Sequence, residues 1–241
     1  MNRVRIAAVA RTEVVVAVRN GEQLLLVLGL PLLFLVLFST VDVLPTGSGE
    51  PVQFLAPGIV ALAVLSVAFV RLAIGTGFDR AFGALRRFAV TPLRRSELLA
   101  AKVAATIVLL AGQLVVLTAV ALVLGWEPEL APLPVAAALG LGTVAFTGLG
   151  FGVAGRFEGL TALAVANSAY VVLLVLSGLL FELDRLPAGL ATMARGLPST
   201  ALGELLRAGL AADAGPGWAW AVLGLWAVAA PVLAVRSFRW E

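Results

Sequence analysis

Between two long apolar stretches, the segment from Asp79 to Leu93 gathers residue types that bind other proteins. Phe82, Leu85 and Phe88 recur three apart, and Arg86 and Arg87 interleave with them in a helical register that Pro92 must end. Aromatic and arginine side chains are enriched at protein interfaces, so docking is one chemistry open to this segment. The other is a basic loop whose aromatics touch a membrane surface. A segment that only connected its neighbours could be shorter and wholly polar.

Other chemistry is excluded by what the chain lacks. It has no cysteine and no histidine, which removes thiol nucleophiles, disulfides, imidazole bases and the usual nitrogen–sulfur zinc sites. The only lysine, Lys102, follows Ala101, so no G-x-x-x-x-G-K-[ST] phosphate loop exists and the chain cannot split ATP by that route. There is no serine elbow, no H-E-x-x-H helix and no embedded pair of aspartates. We expect no catalytic residue and no metal site.

The elements that must position the segment are helices in a bilayer. Apolar residues make up 61% of the 241 residues, charged ones only 13%, and the mean hydropathy is +1.06, far above soluble domains. Six apolar stretches are each long enough to cross roughly 30 Å of hydrocarbon, which takes about 20 residues of helix. The expected architecture is all-α: one bundle over 1–241, with an interfacial helix over 1–21 and membrane helices over 22–43, 54–77, 98–126, 132–155, 159–181 and 216–236. The first stretch leads into Ser39-Thr40-Val41-Asp42 without an A-x-A site, so it is expected to be retained rather than cleaved as a signal.

Orientation follows from the bases, because short loops rich in Lys and Arg stay cytoplasmic. Thirteen of the 17 basic residues fall in the N-terminal segment, the 79–102 loop, Arg156 and the C-terminal tail. Both termini are therefore expected in the cytoplasm. Sixteen of the bases are arginine in an Ala-, Gly-, Val- and Leu-rich chain, a bias associated with GC-rich bacterial genomes, so the expected location is a bacterial cytoplasmic membrane. Arg71 lies seventeen residues beyond Phe54, roughly 26 Å along a helix, and is expected to snorkel to the near interface rather than act inside the bilayer.

Gly29 and Pro31 predict a kink in the first span. Gly140, Gly142, Gly148, Gly150, Gly152 and Gly155 give the fourth span small-xxx-small spacing, suited to close internal packing or to a dimer seam. Leu202, Leu205, Leu206 and Leu210 follow Pro198-Ser199-Thr200 at helical spacing and predict a short amphipathic helix at or dipping into the outer interface, with another short piece over 187–196. Among polar side chains deep in spans, Gln113 and Asn167 are the candidates for a cargo cavity, although such groups also glue helices together.

Pro57-Gly58-Ile59 near the start of the second span, then Asp79-Arg80, Gly83-x-Leu85-Arg86-Arg87 and Thr91-Pro92-Leu93, resembles the ABC type-2 permease family, particularly its drug-exporter, daunorubicin-resistance-like branch. Leu197-Pro198 and Leu205-Leu206-Arg207 are similar to that family's segment in the last external loop. The resemblance covers nearly the whole chain and lies in the order and spacing of loose motifs. It implies a permease subunit, commonly a homodimer, that works with two ATPase subunits carrying the ATP and Mg while this chain binds no cofactor. Carried over, Asp79, Arg80, Phe82, Gly83, Leu85, Arg86, Arg87 and Phe88 form a coupling helix seated in the ATPase, with the N-terminal helix as a connecting helix beside it. The Arg94-Arg95 pair departs from the pattern. Cargo without embedded counter-charge would be amphipathic or lipid-like, of a drug or antibiotic class, and nucleic acid is no expected partner. Two other classes stand against this reading. An ion-gradient-driven carrier or channel would display intramembrane carboxylates, and a membrane enzyme of lipid metabolism would cluster them near one interface.

Overall fold

The structure is a computed structural model and describes residues 2–21, 25–41, 50–84, 94–181 and 183–237. Helix α1 is Arg3–Arg19, followed by a π-helical turn, Leu25–Gly29, and α2, Leu30–Thr40. Helix α3 runs Pro51–Ala81, and a second π-helical stretch, Leu65–Arg71, lies within it. Then come α4 (Arg95–Val123), α5 (Pro132–Arg156), α6 (Gly159–Leu176), α7 (Ala188–Arg195), α8 (Pro198–Gly209) and α9 (Gly217–Ser237). Among the described residues no strand forms; the chain pairs once outside helices, at Glu129 and Ala211.

Five of these helices are long and apolar enough to cross a membrane: Pro51–Ala81, Ser96–Val123, Pro132–Arg156, Gly159–Leu176 and Gly217–Arg236. The chain is a multi-pass membrane protein. The first expected span, 22–43, yields the shorter apolar helix Val27–Thr40, and 22–24 and 42–43 lie outside the described residues. A π-helical turn lies ahead of Pro31 at the point where Gly29 and Pro31 predict a kink.

Helix α3 is the axle. Its apolar window is 78% buried, against 17% for α6, and it touches α2, α4, α5, α6 and α8. An axle needs close neighbours, and glycine supplies them. A Cβ at Gly58 would overlap the Leu179 carbonyl, and one at Gly148 would stand 2.5 Å from the Pro231 nitrogen of α9. Gly150 faces the Ala68 and Phe69 carbonyls at 3.1 Å. Three glycines of the fifth helix, Gly142, Gly148 and Gly150, thus pack inside the chain, whereas Gly140 and Gly152 face open space.

Helix α8 is packed into the bundle rather than lying free on its surface. Leu202, Leu205 and Leu206 are fully buried, together with Ser199 and Thr200, and the helix packs on α3, α5 and α9. The leucine stripe predicted from spacing is therefore a core face that fills the end of the bundle opposite α1.

Candidate functional site

The N-terminal helix is fastened along the start of α4. Asn2 caps α1 by accepting from the Val4 N–H, and its own N–H donates to Glu97 Oε1 at 2.7 Å. Glu97 Oε2 accepts from the Arg94 N–H at 3.0 Å, so one carboxylate satisfies the opening turns of two helices. Between these ties, Ala10 packs against Ala101 and Ala105, small residues that let the two backbones approach.

A second tie lies farther along. Lys102 Nζ donates to Glu13 Oε1 at 2.7 Å and to Asp79 Oδ2 at 2.6 Å, joining α1, α4 and the last turns of α3. The lysine side chain is 3% exposed, its partners 28% and 35%. A buried ammonium needs counter-charge, and two carboxylates reaching it from different helices supply it. Arg71 completes the cluster, within Coulombic reach of Glu13 and Asp79, with its buried Nε lacking a hydrogen-bond partner. It faces these carboxylates across the polar cleft. The π-helical stretch ends on this residue, a distortion that often accompanies functional positions.

Two clefts adjoin the cluster and share Ala17 and Arg71. The polar one, about 110 Å³, is lined by Glu13, Asp79, Lys102 and Thr76. The apolar one, about 280 Å³, lies between α1, the first π turn, α3 and α4. Gln113 lines the apolar cleft; its Nε2 donates to the Val27 carbonyl at 2.9 Å while Oε1 has no partner. Asn167 sits on the exposed face of α6 and lines neither cleft, so the structure does not bring the two cavity candidates together.

The docking segment begins differently from a free-standing helix. Asp79 and Arg80 are on the last turn of α3 and diverge: Asp79 turns to Lys102, while Arg80 Nη1 donates to the Gly155 carbonyl at 2.9 Å, with Nε 3.9 Å from Glu158. Phe82, 73% exposed, stacks on Phe78, and Gly83 turns the chain at φ +68°. Leu85, Arg86, Arg87 and Phe88 lie outside the described residues.

At the other end of the bundle, Arg207 of α8 donates to the Gly178 and Leu179 carbonyls, pairs with Glu204 at 3.0 Å and lies 4.3 Å over the Phe54 ring. It binds α8 to the entry of α3 and to the chain leaving α6.

Sequence reasoning missed Glu13 and Lys102 as partners. The signal was there in kind: Lys102 is the only lysine and Glu13 the only acid of the N-terminal helix. Among the described residues no acid cluster could hold a metal ion. The arrangement ties three helices together through one lysine. Compared with known proteins, residues 4–211 match the family model described as ABC-2 type transporter. No curated protein matches.

Proposed function

This chain belongs to the ABC-2 type transporter family, and on that premise we propose that it is the permease of an ATP-driven exporter for an amphipathic or lipid-like compound. Membership makes it the membrane-spanning component of an ABC transporter, a family that pairs with separate ATP-binding subunits. The finer reading is ours. Two ATPase subunits carrying ATP and Mg serve a pair of permease copies, both termini are cytoplasmic, and Val27–Thr40 counts as the first of six crossings.

The observation that carries the proposal is the family match over 4–211. The charge cluster supports it mechanically. A push on the loop after α3 reaches Asp79 directly, and through Lys102 and Glu13 it moves α1 and α4 as one body. Rigid-body rocking of packed helices then alternates access.

The test is co-purification of the chain with a nucleotide-binding subunit, followed by export assayed in vesicles. Nucleotide-dependent export supports the reading; export by this chain alone, driven by an imposed ion gradient, overturns it. The gradient-driven alternative gains one point from the structure, because Asp79 sits on a membrane-capable helix and pairs with a buried lysine.

A further inference from the structure

The two clefts beside Arg71 are neighbours of opposite character, sharing Ala17 and Arg71 in their walls. The larger is walled almost wholly by aliphatic side chains, and Val18 and Val108 on its rim are 54% and 55% exposed, so it opens on the side of the bundle. The smaller is polar and lies at the end nearer the start of α4. The larger, at about 280 Å³, approaches the size of small-molecule sites, which begin near 300 Å³.

Three polar atoms beside these clefts lack partners within the chain and are closed to solvent. They are Thr76 Oγ1, on a residue 1% exposed, Gln113 Oε1, on one 5% exposed, and Arg71 Nε. Each is costly to bury, and of the three residues Arg71 alone lines both clefts. The charges around the polar cleft cancel, Arg71 and Lys102 against Glu13 and Asp79. An anionic headgroup therefore meets no net attraction. A headgroup carrying both signs meets both.

We propose that these clefts hold one zwitterionic phospholipid with a primary amine, drawn from the leaflet at the α1 end of the bundle. One acyl chain lies in the aliphatic cleft past Gly112 toward Gln113. The phosphate accepts from Arg71, and the ammonium donates to the Glu13 and Asp79 carboxylates, 28% and 35% of whose side-chain surface stays open. A quaternary ammonium has no N–H to donate, so the site distinguishes the two amine types. The bound lipid clamps α1 against α3 and α4. This inference needs only the geometry and stands whether or not an ATPase drives the chain.

The full chain is reconstituted in vesicles of equal parts phosphatidylethanolamine, phosphatidylcholine and phosphatidylglycerol, extracted in mild detergent, and weighed intact by native mass spectrometry. One phosphatidylethanolamine per chain is expected, favoured over the other two on the order of tenfold. Gly112→Phe fills the cleft from a position where a Cβ meets nothing within 4 Å and abolishes retention. Gly140→Phe, also into open space but away from both clefts, leaves retention unchanged and reports intact folding. Asp79→Asn equalises the ethanolamine and choline lipids. Equal retention of all three lipids, a preference for phosphatidylglycerol, or a Gly112→Phe chain that still retains its lipid overturns the proposal. So do lipid-free dimers, which would put a second copy over the groove.

Discussion

Lys102 Nζ stands 2.6 Å from Asp79 Oδ2, an ion pair that ties the first third of α4 to the end of α3. Glu13 closes it from α1 at 2.7 Å. Removing the cation leaves two carboxylates facing a buried space with nothing between them. Lys102→Met is expected to cost about 1–3 kcal/mol, below the figure for a fully buried pair because both acids keep some solvent. A lower melting temperature in detergent checks this. If Lys102→Met melts with the native chain, the cluster holds nothing together.

The same substitution separates structure from coupling. In the complete transporter, Lys102→Gln is expected to leave nucleotide hydrolysis largely in place while export falls severalfold, because α1 no longer moves with α3. Parallel loss of both rates would instead mean that the cluster matters only for folding or assembly.

Phe82 is 73% exposed and held by Phe78, an aromatic presented outward rather than to the core. Phe82→Asp, alone and with Arg86→Asp, is expected to abolish co-purification with the ATPase subunit while the chain still inserts and melts normally. Undiminished capture of the ATPase by the double variant would remove 79–88 from the coupling role.

Gly148 and Gly152 are one helical turn apart and have opposite surroundings. A Cβ at Gly148 meets Pro231 and Ala230 at 2.5 and 2.7 Å; at Gly152 it meets nothing within 4 Å. Gly148→Leu is expected to destabilise by about 1–3 kcal/mol through overpacking against α9. Gly152→Leu should leave the monomer fold unchanged. A detergent melting series on both variants distinguishes packing from general helix effects.

Arg207 holds two backbone carbonyls, Glu204 and the Phe54 ring at once. Arg207→Leu keeps bulk but strands the Gly178 and Leu179 carbonyls, at about 1–3 kcal/mol. Faster hydrogen exchange across α8 and the 177–181 turn, with α1 and α4 unchanged, is the expected pattern. Uniform exchange throughout would show that the arginine is not a local latch.

The predicted helices were legible because a bilayer imposes length and composition directly. Most expected spans overlap helices of the bundle, and Pro198 starts α8 as its position suggested. Depth was less legible. Leucines at helical spacing mark an apolar face, but lipid and protein core are equally apolar, so the pattern of Leu202, Leu205 and Leu206 could not tell an interfacial helix from one inserted between α3, α5 and α9. For the same reason the glycine run in α5 left packing and dimer seam open until the close approaches to α3 and α9 chose packing for three positions.

By itself, the amino-acid order determined that this is a bundle of apolar helices lacking cysteine, histidine and a phosphate loop, and where its bases cluster. Those properties are local: hydropathy, charge and missing side-chain types need no neighbour to be read. Only the tertiary structure decided that Glu13, Asp79 and Lys102 meet, that Arg71 faces them beside an amphipathic cleft, and that Gln113 and Asn167 are apart. A lysine flanked by apolar residues announces a cost but not its remedy. Its counter-charges are 89 and 23 residues away, brought to it by helix packing that sequence spacing does not encode.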